Sequence, residues 1–374
     1  MRDPGKVRRA GTIGVFVALV LCLAVRGDTT IWPLVDVAGT GAQTCTAGAT
    51  QTRTAGATQT CTAGATQTRT AGATQASAAE DAHGGPTTIW PLVDVAGTGA
   101  YAAAVADALA GARETIDVLL SSVDLEENPL VDGLVAARGR AVRVRVLVDQ
   151  SDWEESITVR NRPAVDALRA AGIDAQFDDP GITTHAKLVI VDAVCVVVGS
   201  TNWNRYALYE HRQAGVRIDD PRTAEVFEAF FERQWTLSGR RTELALDEPI
   251  PADGAPAIVA IPDDDGTALY GAVALELLGR AQRSVHAVLY RVSVYPQYAD
   301  SVTGELVAAL VSAAARGVDV RVVIDDCRFY EDSAAANLMS AIYLYQSGVD
   351  VRFDDPDVTT HAKLLVIDGE SILL

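Results

Sequence analysis

The sequence predicts an α/β protein built from two tandem repeats, and three observations predict it. A stretch of 21 residues occurs twice, GIDAQFDDPGITTHAKLVIVD at Gly172 to Asp192 and GVDVRFDDPDVTTHAKLLVID at Gly348 to Asp368, with 13 identical positions. Short β-branched runs alternate with apolar patterns at helical spacing from Thr87 onward, the signature of a sheet covered by helices on both faces. The third observation is a constant offset. His361 minus His185 is 176, and Asp325 minus Asp149 is also 176.

The N-terminus carries Lys6, Arg8 and Arg9, then an uncharged, mostly apolar run from Ala10 to Val25 that ends at Arg26. This charge-then-apolar layout reads as a secretory signal over residues 1–27, with retention as a membrane anchor as the alternative, and implies a secreted or membrane-anchored extracellular protein. Four octets, alternately TCTAGATQ and TRTAGATQ, fill Thr44 to Gln75. They offer almost nothing to bury, so residues 28–86 read as a disordered spacer. The segment TTIWPLVDVAGTGA occurs at Thr29 and again at Thr87, and only the second copy leads into a folded pattern.

The first repeat, residues 87–237, begins with a strand at Thr87. Tyr101 to Ala112 then has helical spacing, Thr115 to Val123 reads as a strand, Pro129 to Arg138 as a helix and Val142 to Val148 as a strand. A helix from Pro163 to Ala171 and a strand at Ile173 to Phe177 lead to the first copy of the repeated stretch. Lys187 to Val191 and Val194 to Val198 flank Asp192-Ala193 and predict a tight hairpin. After GSTN at Gly199 to Asn202 come a strand at Ala214 to Ile218 and an amphipathic helix at Pro221 to Trp235.

Thr236 to Pro262 is rich in proline, glycine and charge and reads as a connection, with the linker itself at 238–256. The pattern restarts over 257–374. It gives helices at Leu269 to Ala281, Ser301 to Ala315 and Ser333 to Gln346, and strands at Val285 to Arg291, Val318 to Asp325 and Val349 to Phe353. Adding 176 to Gly199 gives 375, one residue past Leu374, so the second repeat is expected to be incomplete and to expose sheet edges.

Composition narrows the chemistry. A net charge of −18 and a pI near 4.6 resemble proteins of salt-rich environments and disfavour loose binding to a polyanion. The five cysteines are odd in number and lack metal-ligand spacing, so neither a disulfide framework nor a cysteine metal site is expected; Cys195 and Cys327 read as small core residues. Of 31 basic residues three are lysines, and two of these, Lys187 and Lys363, lie in the repeated stretch. Each stands two residues after a histidine, His185 or His361, so each pair shares one face of a strand. In a chain that otherwise uses arginine, this points to a site that needs a compact ammonium.

The order His, any residue, Lys, four residues, Asp, then Gly-Ser-x-Asn resembles the signature of the phospholipase D superfamily. It runs here through His185, Lys187, Asp192, Gly199, Ser200 and Asn202, and again through His361, Lys363 and Asp368. The resemblance covers Thr87 to Leu374. It implies two tandem phospholipase D-like α/β repeats, each a mixed sheet with helices on both faces, arranged about a pseudo-twofold axis and pooling one site.

It further implies phosphodiester hydrolysis or transfer with no cofactor and no metal. His185 would be the nucleophile that becomes a phosphohistidine and His361 the general acid. Lys187, Lys363, Ser200 and Asn202 would hold the phosphoryl oxygens. Asp192 and Asp368 belong to the catalytic motif by resemblance and read equally as turn residues; Asp368-Gly369 is a common hairpin pair. The family's usual glutamate after Gly-Ser-x-Asn is Gln213 here, with Glu210 nearby.

Asp149-Gln150 and Asp325-Asp326 follow strands and are candidates to line the same cleft. His211 and His286 read as structural, Trp153, Trp203 and Tyr206 as packing residues, and the FDDP acids at both copies as turn residues. The expected partner is a phosphodiester, a phospholipid met at a membrane surface or a nucleic acid, and no obligate protein partner is evident. Three functions stay open at this point: a phospholipid phosphodiesterase, a nuclease of the same superfamily, and a non-catalytic fragment.

Overall fold

The computed structural model describes residues 17–22, 79–80, 86–150, 155–236, 257–264, 267–294 and 301–374. The octets, the Thr29 copy of the duplicated segment, Trp153 and the linker at 238–256 lie outside the described residues.

In chain order the elements are β1 (Val17–Cys22), β2 (Ala79–Glu80), β3 (Pro86–Asp94), α1 (Ala100–Gly111), β4 (Thr115–Leu120), α2 (Pro129–Gly139), β5 (Arg143–Val148), α3 (Glu155–Ala170), β6 (Asp174–Phe177), β7 (Lys187–Val191), β8 (Cys195–Gly199), α4 (Arg205–Tyr209), β9 (Gln213–Asp219) and α5 (Pro221–Thr236). The second series is β10 (Ala257–Pro262), α6 (Leu269–Arg280), β11 (Ser284–Leu289), α7 (Val302–Ala315), β12 (Asp319–Ile324), α8 (Glu331–Gln346), β13 (Asp350–Phe353), β14 (Lys363–Ile367) and β15 (Ser371–Leu373).

Two mixed sheets result. One runs β2-β3-β9-β8-β7-β4-β5-β6 and the other β10-β1-β15-β14-β11-β12-β13. In each, three strands joined through helices are parallel, β4-β5-β6 and β11-β12-β13, and a hairpin strand, β7 or β14, adds antiparallel to β4 or β11. The sequence gives the reason. A parallel pair needs a crossover long enough for a helix, whereas Asp192-Ala193 and Asp368-Gly369 close tight antiparallel turns with positive φ at all four residues.

Strand β7 shows why the hairpin strands are apolar throughout. Val189 and Val191 join the core beneath α1 and α2, while Leu188 and Ile190 face Phe227, Phe230 and Phe231 of α5 on the other side. Alternate residues feed two cores, and no position is left for water. Ile258, Ala260, Ile372 and Leu374 of the second series pack against the same α5 layer, which joins the two repeats.

The structure adds to the sequence reading at four elements. Val17–Cys22, inside the segment read as a signal or anchor, is a strand. It pairs antiparallel with β10 and β15, the place that β9 holds between β3 and β8 in the first sheet. Helix α3 starts at Glu155, eight residues before Pro163, which lies inside it. Helix α4 follows GSTN, where Asn204 caps it by accepting the N–H of Ala207 at 2.9 Å. Ala257–Pro262, part of the Pro- and charge-rich connection, is strand β10. Among the described residues, no helix is long and apolar enough to cross a membrane.

Candidate active site

Strands β7 and β14 each begin at a motif lysine, opposite Leu120 of β4 and Leu289 of β11. The histidine two residues earlier leads into the strand, with a buried alanine, Ala186 or Ala362, turned to the other face. Each lysine curls back on its own histidine: Lys187 Nζ donates to the His185 carbonyl at 2.6 Å and Lys363 Nζ to the His361 carbonyl at 2.6 Å. The packing of the repeats then brings the two pairs together. The imidazole rings of His185 and His361 lie 6.1 Å apart between centroids, tilted by 52°. Tyr290 flanks His361 at 4.7 Å, and the Lys363 ammonium sits 5.1 Å above the Tyr290 ring.

The first repeat also holds the second histidine directly. His361 Nδ1 is 2.9 Å from the Ser200 carbonyl. A carbonyl oxygen only accepts, so Nδ1 carries the proton of that bond; Nε2, 3.2 Å from Lys363 Nζ, is the nitrogen that can exchange a proton with a ligand. The His361 backbone N–H donates to the Arg212 carbonyl at 2.8 Å.

Four basic groups gathered in one recess shift one another. The Lys187 ammonium, burial and then Lys363 hold His185 well below the usual imidazole range; burial and then Lys363, Lys187 and His185 do the same to His361, against a smaller upward pull from Ser200. Burial pushes Lys187, which is 2% exposed, far below an ordinary lysine, with Lys363 adding repulsion and Asp149 opposing it. Burial lowers Lys363 to about 7, against upward pulls from Asp325 and Cys327. The free site thus sheds positive charge, and an anion entering it would restore that charge.

Buried acids stand behind each pair. Asp149, fully buried, accepts the N–H of Thr184 at 2.5 Å, and Asp325 accepts that of Thr360 at 2.5 Å. Burial raises Asp149 to about 6; burial and then the Asp149 charge raise Asp178 to about 8. These acids support the loops that present the histidines. Asn161 ties the strand ends together, accepting the N–H of Val123 and donating to the carbonyls of Ser121 and Asp149. Asn337 does the same with Val292, Tyr290 and Asp325. The sequence reading missed this pair, although 337 minus 161 is again 176.

Gly199 faces Gly215 across β8 and β9, and a Cβ on Gly199 would lie 2.7 Å from the Ala214 oxygen and the Gly215 Cα, so this close approach requires glycine. The Ser200 hydroxyl is taken up by β9. It lies 2.7 Å from Gln213 Oε1 and 3.1 Å from the Ala214 carbonyl, and accepts the Ala214 N–H at 3.0 Å. Ser200 thus meets the site through its carbonyl, where the hydroxyl was expected. In this segment the Thr201 Oγ1 and Asn202 Oδ1 atoms are both buried without a hydrogen-bond partner; of the two, the threonine hydroxyl can donate and the amide oxygen only accepts.

Asp192 and Asp368 require a correction. Each sits in the turn at the far end of its strand, five residues past the lysine, or about 16 Å at the usual strand rise. Asp192 accepts the N–H groups of Arg113, Glu114 and Thr115, and Asp368 those of Gln282, Arg283 and Ser284. Burial works against the ionised form at both, and the N–H donors overcome it, so both carboxyls lie below the usual range. They fasten turns and do not meet the histidines.

Trp203 is fully buried and donates to the Tyr101 hydroxyl, while Tyr206 is exposed. Glu210 pairs with Arg205, and His286 lies 3.7 Å from Asp319 on the outer face of β11. Cys195 and Cys327 are buried free thiols.

Comparison with known proteins agrees with this geometry. The family described as cardiolipin synthase, PLD-like domain, matches residues 105–235 and 274–374. The mitochondrial cardiolipin hydrolase of Homo sapiens is 33% identical over 129 residues, 34% of this chain and 48% of that protein. A phospholipase D of Rickettsia conorii is 27% identical over 124 residues, 33% of this chain and 58% of its own length. The chain thus spans about half the length of the curated relatives it matches. The crystal structure of phosphatidylserine synthase from Haemophilus influenzae shares the fold over 75% of this chain and 81% of its own, with a TM-score of 0.53 at 13% identity. With a family match over both repeats and two His-Lys pairs gathered at one place, the chain belongs to the phospholipase D superfamily.

Proposed function

We propose that the chain is a phospholipase D-type phosphodiesterase that acts on a phospholipid headgroup ester through a phosphohistidine. The observation that carries this reading is the 6.1 Å separation of the His185 and His361 rings, each with its own lysine. The acidic surface and the relatives named for cardiolipin hydrolysis and phospholipase D favour a lipid, met at a membrane surface, over a nucleic acid.

In the first step an imidazole nitrogen of His185 attacks phosphorus as the P–O bond to the leaving group breaks, and His361 Nε2 gives its proton to the departing oxygen. In the second step water or an alcohol attacks the phosphohistidine, His361 takes back a proton, and the P–N bond breaks to free His185. The anionic diester offsets Lys187 and Lys363 and so returns proton affinity to His361, which the free site holds neutral. The two ammonium groups, with the Nδ2 donors of Asn202, stabilise charge on the phosphoryl oxygens.

The test is turnover of cardiolipin or phosphatidylcholine vesicles beside single-stranded DNA, by the parent chain and His185→Ala, with EDTA present throughout. Headgroup release that survives EDTA and falls at least about 10³-fold in the variant is expected. Cleavage of DNA with lipid left intact would assign the nuclease reading, and turnover undiminished by His185→Ala would remove the mechanism.

A further inference from the structure

Arg212, the residue before β9, belongs to the first repeat but is bonded to the second. It forms an isolated parallel bridge with Thr360. Its N–H donates to the Thr359 carbonyl at 2.9 Å, and its carbonyl receives the His361 N–H at 2.8 Å. Its guanidinium closes over the same loop: Nη1 reaches the Val358 carbonyl at 3.1 Å, Asp354 Oδ2 at 3.4 Å and Thr360 Oγ1 at 3.5 Å, while Nη2 reaches Asp355 Oδ2 at 3.5 Å. One residue thus grips the segment from Asp354 to His361 by backbone and side chain together. Five donors in a rigid fork suit that task, and a lysine could not span these acceptors.

The other repeat supplies an internal comparison. Asp178 accepts the N–H of Gln150 at 2.8 Å as Asp354 accepts that of Asp326 at 2.9 Å, and 354 minus 178 is 176. Asp178 is joined by the side chain of Thr184 as Asp354 is by the Thr360 hydroxyl, and Asp354 Oδ2 receives Arg212 as well. The carboxylate recurs at the same place in both repeats, and in the second it is the one that Arg212 meets. The loop so held leads to His361, the histidine whose ring is also fixed by the Ser200 carbonyl.

We propose that Arg212 is a positioning residue for His361: it fastens the 354–361 loop across the seam between repeats and so keeps the imidazole in its Nδ1–H form with Nε2 facing the reacting centre. Its side-chain hydrogen bonds go to the loop at Asp354, Asp355, Val358 and Thr360 and not to the imidazole. The proposal rests on reading His361 as the proton donor and deepens it, because a proton donor displaced by about 1 Å loses on the order of 10²-fold in rate.

The experiment uses the full chain with ¹⁵N-histidine labelling, which gives five residues to resolve. Parent, Arg212→Ala, Arg212→Lys and Asp354→Asn are compared by imidazole ¹⁵N shifts, melting temperature and vesicle kinetics. In Arg212→Ala the His361 signals are expected to change from one Nδ1–H tautomer to a mixture, with His185 unmoved. Its kcat should fall about 10- to 100-fold with KM within about twofold, and millimolar guanidinium should restore part of kcat.

Asp354→Asn keeps Arg212 and its backbone bonds while weakening the grip, so it should show the same tautomer mixing at a milder level. Unchanged His361 shifts in both alanine and asparagine variants overturn the proposal. So does collapse of all five histidine signals in both, which would make Arg212 a folding residue. The ¹⁵N readout needs no turnover: an inactive parent chain with a His361 tautomer that still depends on Arg212 would overturn the proposed function and leave the positioning role standing.

Discussion

His185 and His361 stand with ring centroids 6.1 Å apart although 176 residues separate them in the chain. Reacting atoms in a near-attack arrangement lie about 3 to 3.5 Å apart, so a phosphorus centre between the rings can be reached from both sides. Their charge state then fixes a pH window. Neighbouring ammoniums and burial hold both imidazoles below the usual range in the free site, which keeps the nucleophile His185 neutral there, while His361 takes up its proton with the bound diester. Lys363 sits at about 7, so its charge is lost as pH rises through that value. The expected profile of kcat/KM falls on the alkaline side near pH 7. Arginine stays charged, so Lys363→Arg should move that limb up by at least about one pH unit at reduced rate. A limb that stays near 7 in the variant would assign it to another group.

Asp192 and Asp368 belong to the motif by sequence and to the turns by structure, and substitution separates the two. Removing either carboxylate strands three backbone N–H groups. A cost of about 1–3 kcal/mol in denaturant unfolding is expected for Asp192→Ala, with kcat per folded molecule within about twofold of the parent. A large loss of kcat at unchanged stability would return Asp192 to the chemistry.

What was legible in the sequence was whatever repeats or has a period. The strand and helix patterns survived, and so did the His-Lys pairs, because each is local or copied at an offset of 176. Strand Val17–Cys22 was not legible because a run apolar at every position fits an export signal as well as a buried strand. Asn161 lay outside the helix read from Pro163 to Ala171, and its role emerges only when strand ends from two other elements converge on it. Arg212 was unreadable for a stronger reason. Its partners lie 142 to 148 residues away in the other repeat, and no local pattern encodes a contact across that seam.

Asp178 should leave a mark on stability as a function of pH. Its folded pKa is raised to about 8, above its ordinary carboxylate value. The folded state therefore binds a proton that the unfolded chain has already released, and this contribution is complete below about pH 4 and lost as pH rises through about 8. Asp178→Asn keeps a neutral side chain at every pH. Thermal melts at pH 5, 7 and 9 are expected to show the variant gaining on the parent as pH rises, by several degrees at pH 9. Parallel curves for the two proteins would show that the buried carboxyl carries no such penalty.

The deepest ion pair among the described residues lies away from the site and tests the frame that holds it. Arg145 on β5 donates to Asp117 on β4 at 2.7 Å and to Glu232 on α5 at 2.6 Å, with its guanidinium 4.9 Å above the Phe231 ring. Asp117 is 2% exposed and the Arg145 side chain 10%. Removing Asp117 leaves the Arg145 charge in the interior with the half-exposed Glu232 as its remaining acid, which costs up to about 3–5 kcal/mol, whereas replacing both buried partners with apolar residues of similar volume is often neutral. Asp117→Ala is therefore expected to unfold at a much lower denaturant midpoint, and Asp117→Leu with Arg145→Met to recover most of the loss. Because β4 also carries β7 and hence Lys187, the single variant should lose vesicle turnover in step with its folded fraction, and the double variant should regain both together. Recovery of stability without turnover would show that the Arg145 charge itself is felt at the histidines.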